Sequence, residues 1–369
     1  MSSSVSDSSP SGAQAPAGLR QTFDTAATAA FDFAATAALP FNQRWGAYRQ
    51  IAQAGGSEAA DILAQAIVQE KDSGIRYMTA GLLRDVGSKT PQEAITAATA
   101  IAQVLGNEKD AYARRSMELA LADLATAQPQ ALPIAAAAIA NGLEKSADTL
   151  TRCLQAGQLS DFCAAAPEVG TQILPAVTAA FTAEKDKLAA HHLARTLVVI
   201  AGDETQRPQV IATLMQAMTA PPSQENPVEK TFAAAHALHR IAEQAPQEVV
   251  MALAYALAKP GQGDNARRLC ILGLGAFAEA DKDCAKPAAK ALLAALGRET
   301  DSLHRRHIVE GVMKAVHNGF NSQSAGSGLY THLNARERDR ETRDNITRAL
   351  RSLGHKTPAV PMSIPAPKV

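Results

Sequence analysis

Apolar residues recur at helical intervals along most of this chain, and the blocks they form also recur. The stretch "KDSGIRYMTAGLLRDV" (71–86) is followed by "KDAYARRSMELALADL" (109–124) and "ADTLTRCLQAGQLSDF" (147–162). Anchored on the opening acid, the series runs Asp72, Asp110, Asp148, Asp186, Asn226, Asp264 and Asp301, with steps of 38, 38, 38, 40, 38 and 37 residues. Four positions beyond each anchor stand Arg76, Arg114, Arg152, Ala190, Lys230, Arg268 and Arg305. Seven, eleven and fourteen positions beyond come residues such as Met117, Leu121 and Leu124, an apolar stripe in most copies. Offsets of 4, 7, 11 and 14 follow the α-helical period.

A second helix precedes each of these. Its apolar residues also step by three or four, as in Ile173, Val177 and Phe181, or Val249, Leu253 and Leu257. Proline marks its start at Pro91, Pro129, Pro208, Pro246 and Pro287. In the first helical turn the missing proline N–H costs nothing. Each repeat is therefore helix A, a short turn, helix B and another short turn. The anchor Asp falls just before helix B, where its carboxylate caps free N–H groups and complements the helix dipole. An Arg in the first turn is tolerated if it meets the Asp of its own turn or of the next repeat. Stacked helices lie roughly 8–10 Å apart, within reach of a long Arg side chain. The expectation is an Asp–Arg ladder of Asp72, Arg76, Asp110, Arg114, Asp148, Arg152, Asp264, Arg268, Asp301 and Arg305. It should be weakest where Ala190 and Asn226 break the pattern.

These features resemble the HEAT-repeat family, among the armadillo-like α-solenoids: paired helices of 38–40 residues, a Pro in helix A, an Asp in the turn and an Arg early in helix B. The resemblance implies an all-α fold, a right-handed α-solenoid of about seven HEAT-like helix pairs with helical caps. It also implies that the B helices line a concave face, and it names no single function. The expected organisation is a disordered tail (1–18), a helical cap (19–56), the repeat array (57–319), a flexible Gly/Ser-rich loop (320–334), a charged C-terminal helix (335–354) and a second disordered tail (355–369).

Composition narrows the function. Thirty-six basic residues balance thirty-six acidic ones, whereas dedicated nucleic-acid domains are usually strongly basic. The four cysteines have no metal-type spacing and read as small buried side chains. Sparse cysteines suit a reducing compartment. The N-terminus lacks a basic region followed by an apolar core, so no signal peptide is expected, and the longest apolar run, "ALPIAAAAIA" (131–140), is too short for a bilayer. The reading is a cytoplasmic protein.

Candidate chemistry is sparse. His236 with His239, and His304 with His307, each share one helical face, but neither pair has a third ligand in register. No metal, cofactor or catalytic group is expected, and no phosphate loop or nucleophile elbow is present. What remains is a locally basic first half of helix B. The candidate partner-binding residues on the concave face are Arg115, His192, His236, His239, Arg267, Arg306 and His307. They suit a non-enzymatic scaffold or adaptor for a protein or acidic peptide. The alternative is a nucleic-acid-binding or DNA-repair protein resembling the HEAT-like alkylpurine glycosylases, which needs a basic groove with aromatic and acidic residues around an extruded base.

Overall fold

The computed structural model describes residues 33–146, 148–220, 223, 228–260, 263–335 and 337–355. Both expected tails, apart from His355, and the anchor Asn226 lie outside the described residues. The described residues form eighteen α-helices and no strand. The chain divides into two compact units, Met1–Ala147 and Asp148–Val369.

The first unit holds α1 (Phe33–Ala37), α2 (Phe41–Ala54), α3 (Gly56–Gln69), α4 (Ser73–Gly87), α5 (Pro91–Leu105), α6 (Ala111–Ala127) and α7 (Leu132–Gly142). Helices α2, α4 and α6 pack side by side in one layer, and α3, α5 and α7 in the other. The stripes read from the sequence are the interface: Leu83, Ile101, Met117, Leu121, Leu124 and Ile139 are fully buried.

The second unit holds α8 (Thr149–Ala165), α9 (Glu168–Ala183), α10 (Lys187–Ile200), α11 (Arg207–Thr219), α12 (Val228–Ala242), α13 (Pro246–Ala258), α14 (Asp264–Ala280), α15 (Lys282–Leu296), α16 (Ser302–His317), α17 (Ser322–Ala335) and α18 (Arg340–Ser352). Even-numbered helices are the B layer and odd-numbered ones the A layer. Phe181, Leu193, Leu214, Val249, Leu274 and Ile308 fill the space between them. Pro91, Pro208 and Pro246 open A helices, but Pro287 sits inside α15.

The array is longer than the sequence suggested. The expected loop at 320–334 is mostly the helix α17. Its Gly/Ser composition allows close approach: a Cβ on Gly328 would stand 2.9 Å from the Leu293 side chain. Ala325, Leu329 and Leu333, at helical spacing, are buried beneath it. The charged helix at 335–354 is then a B helix. Asp339 caps α18 by accepting from the Thr342 amide, 38 residues after Asp301. At the other end, α2 carries Arg44 at the ladder position within the supposed cap.

The anchor aspartates do what the sequence implied. Asp72, Asp110, Asp148, Asp186 and Asp301 each accept a backbone N–H from the first turn of the following helix. Removing such a cap costs about 1 kcal/mol. Asp110→Ala, which loses the 2.8 Å bond from the Ala113 amide, is expected to lower the unfolding midpoint by that amount in urea titration.

The arginines do not pair with those aspartates. Five arginines instead meet a glutamate two residues before the next anchor. Arg76 donates to Glu108 at 2.7 Å, Arg152 to Glu184 at 2.7 Å and Arg305 to Glu337 at 2.8 Å. Looser rungs join Arg44 to Glu70 at 3.3 Å and Arg267 to Glu299 at 3.4 Å. The division of labour is geometric. In the Glu108 and Glu184 turns, one carboxylate oxygen accepts the next two backbone amides of its own turn, at 2.8–2.9 Å, and leaves the other for the arginine. The Asp is already occupied by its helix.

Three ladder assignments therefore change. Asp264 is not a cap: Gly263 is, and its carbonyl receives the Arg267 amide. The rung at this repeat is Arg267, and Arg268 is displaced onto the exposed face. Arg114 finds Ser146 where a glutamate would stand; its guanidinium bonds the Glu108 carbonyl at 3.3 Å and approaches Glu118 at 3.9 Å. In α12 the counted positions Ala233 and Ala237 are buried, beside Ala234, Leu238 and Ile241, but Arg240 is exposed.

The ladder is sensitive to acid. Burial raises the Glu108 carboxyl, but the Arg76 guanidinium and the Asp110 and Lys109 amides outweigh it and hold the group below the usual carboxylate range. A folded-state value below the unfolded one adds stability above the unfolded value, and that stability is lost as pH falls through the folded one. Glu108→Gln is therefore expected to be less stable than the parent at neutral pH, with the difference shrinking below about pH 4.5. Thermal melts at both pH values check this.

Candidate functional site

In a B helix the residues 2, 5, 6, 9 and 13 positions after the cap face away from the core. On α10 this face is Leu188, His191, His192, Arg195 and Val199. On α12 it is Glu229, Phe232, His236 and Arg240. Between these two helices lies a groove of about 590 Å³. His191, His192, Arg195, His236 and Arg240 form its polar wall, and Ala194, Val198, Val199, Ala233 and Ala237 its apolar lining. Leu188 and Phe232 flank it, 50% and 55% exposed.

The groove coincides with a local departure from the repeat. Ala190 holds the ladder position, its amide bonded to the Asp186 carbonyl as the arginine amides are elsewhere. With no rung side chain at this point, His191 and His192 supply the polar groups, turned outwards.

The electrostatics are one-sided. Helix α10 contains no acidic residue, and α12 contains only Glu229, in its first turn. Arg195 has no ion-pair or hydrogen-bond partner among the described residues. Arg240 meets Glu243 at 3.3 Å, with both side chains about half exposed, a geometry worth little. No Ser, Cys, Asp or Glu lines the groove, and its polar groups are three imidazoles and two guanidinium groups.

The predicted partner-binding residues scatter around this centre. His192 and His236 converge in the groove. His239 stacks on Phe277 with ring centroids 6.0 Å apart. His307 is half-buried, and burial together with the Arg268 charge lowers its basicity. Arg306 is tied to Glu341 of α18 at 2.5 Å. Arg267 belongs to the ladder, so its assignment to the binding face is withdrawn. Arg115 sits on α6 of the other unit and is not part of the groove. His191, Arg195 and Arg240 line the groove without having been singled out from the sequence. The signal was available: from Leu188, steps of three and four reach all the outward positions of α10.

A second hollow, of about 630 Å³, lies between α11 and α13. Met215 and Tyr255 line it, but Lys259 at one side and Glu248 at another give it no single sign of charge. Among the described residues no three His, Cys, Asp or Glu side chains are placed to hold a metal. All four cysteines are buried and unpaired. Burial pushes the Cys270 thiol up to about 12 and Cys163 and Cys284 to about 11, so none is a ready nucleophile. No described helix is long and apolar enough to cross a membrane.

No protein-family model matches the chain, and no curated protein matches it. Solved structures do. A homology model of the AP-3 complex in an intermediate open conformation aligns over 85% of this chain at 12% identity, with a TM-score of 0.40. A crystal structure of Kap121p bound to Ste12p aligns over 92% at 12% identity, also with a TM-score of 0.40. An engineered protein aligns over 71% at 16% identity, with a TM-score of 0.33. The chain spans 63% of the AP-3 chain, 37% of the Kap121p chain and 98% of the engineered one. At these scores the likenesses carry no functional argument.

Proposed function

We propose that the protein is a non-enzymatic scaffold that binds another protein through the exposed face of α10, α12 and α14. One observation carries this reading: the groove between α10 and α12 sets apolar side chains beside Arg195 and Arg240, with no Ser, Cys, Asp or Glu in its lining. Core-like residues left in water are characteristic of docking surfaces, and stacked helices present broad ones. The DNA-repair alternative needs aromatic and acidic residues converging on a base. The groove lining has neither. Four unpaired, buried thiols suit a reducing compartment, and we place the protein in the cytoplasm.

The test is site-specific photo-crosslinking in the source cell. A photoreactive residue at position 195 is expected to give a discrete protein adduct, and one at Lys290, on the A-helix side, is not. Nucleic-acid adducts, or equal labelling from both positions, would overturn the scaffold reading.

A further inference from the structure

We infer that the groove between α10 and α12 seats an acidic, amphipathic peptide segment of the partner, its apolar side chains on the groove's lining and its carboxylates against Arg195, His192 and His236. This deepens the scaffold reading and rests on it.

The occupant follows from what the groove offers and lacks. Its volume, about 590 Å³, admits a few side chains and no folded domain. Val198, Val199 and Ala237 give it an apolar lining. Leu188 and Phe232, four residues before His192 and His236 on the same helices, add further apolar surface, each about half exposed. A ligand meeting only the polar wall would leave these side chains in water, so a purely polar anion fits poorly. A purely apolar ligand would strip water from Arg195 without replacing it. An unpaired buried cation costs several kcal/mol. A segment presenting apolar side chains on one side and Asp or Glu on the other satisfies both. Guanidinium groups bond carboxylates in a bidentate way, and imidazole N–H groups donate beside them.

The sign of the ligand is set by the whole neighbourhood. The Asp186 carboxylate is engaged by the Leu188 and Ala189 amides. Glu229 lies in the first turn of α12, seven residues before His236, or about 10 Å along the helix axis. On the next B helix, Arg268 adds a further exposed cation. An acidic segment thus meets Arg195 along the groove, with Glu229 towards one end and Glu243, paired to Arg240 at 3.3 Å, towards the other. A basic segment would meet the reverse.

The experiment uses the full chain and a defined probe: a fluorescent 16-residue peptide with Leu at i, i+4 spacing and Glu at the remaining positions. The parent protein is expected to bind it. Arg195→Glu with His236→Glu is expected to weaken binding by about tenfold or more. Lys290→Glu should leave it unchanged. Circular-dichroism melts of each variant show that the fold is kept, and Val198→Asp serves as a second, independent block of the groove. No binding to the parent, or equal binding by the double variant and by Val198→Asp, overturns the inference. So does displacement of the probe by a single-stranded oligonucleotide at lower concentration than by unlabelled peptide. Failure of this test while position 195 still crosslinks to a protein would reject the acidic peptide but leave the scaffold reading standing.

Discussion

Glu337→Ala is expected to destabilise the second unit by about 3–5 kcal/mol, the cost of leaving a buried cation unpaired. The Glu337 side chain is fully buried. One oxygen accepts Arg305 Nε at 2.8 Å and lies 3.1 Å from His332 Nε2. The other accepts Arg305 Nη2 at 3.1 Å and the Asp339 amide at 2.8 Å. Alanine removes four interactions and strands Arg305, whose side chain is only 13% exposed. The control is Glu341→Ala, a few residues away. Glu341 pairs with Arg306 but is 66% exposed, so its loss should cost under about 1 kcal/mol. Urea unfolding of both variants decides the matter. Similar costs would mean that the ladder adds nothing beyond surface ion pairs. Replacing Arg305 and Glu337 together by Met and Leu should recover much of the loss, because the pair's own net contribution is small once neither charge is stranded.

Gly311→Val is expected to cost about 3 kcal/mol through overpacking. Helices α14 and α16 approach most closely where Gly275 faces Gly311. A Cβ on Gly311 would stand 2.8 Å from Leu292 Cδ1 and 3.2 Å from the Gly275 Cα. The leucine can shift; the opposing backbone cannot without parting the helices. Valine adds two methyl groups to that conflict. The contrasting variant is Gly81→Ala in α4, where an added Cβ meets nothing within 4 Å. It should gain up to about 1 kcal/mol from helix propensity. A destabilised Gly81→Ala, or a neutral Gly311→Val, would contradict the packing described.

The repeat was legible because its two periods, 3.6 and 38, are carried by residues with one local job each. Asp caps a helix wherever it stands, so its recurrence marked every turn. The ladder was only half legible. "EKD" occurs at 70–72, 108–110 and 184–186, yet the acid that a neighbouring arginine selects depends on which carboxylate still has a free oxygen. The Arg267–Arg268 doublet hid the register, because Asp264 and Arg268 mimic the motif one residue late. Helix α17 was hidden by its Ser and Gly content, which here serves contact with α15. The groove was the least legible element. His192 and His236 are 44 residues apart, and they converge only because α10 and α12 stack with their outer faces aligned.

Two consecutive repeats lack the arginine–glutamate rung, and this has a consequence for local opening. Position 190 is alanine, position 230 is lysine, and the sequence before α14 reads Gly-Gln-Gly at 261–263, without a glutamate. Repeats are clamped by rungs at Arg152–Glu184 and again at Arg267–Glu299 and Arg305–Glu337. Contact between α12 and α14 is also sparse beside that between α14 and α16. Amide hydrogen exchange should therefore divide the second unit into two cooperative blocks, with the α11–α13 segment opening at lower free energy than either neighbour. The groove lies on the other side of α12, against α10, where Lys230 Nζ already donates to the Thr182 carbonyl at 2.8 Å, so an occupant bridging α10 and α12 would slow exchange in α12 by holding it to the more stable block.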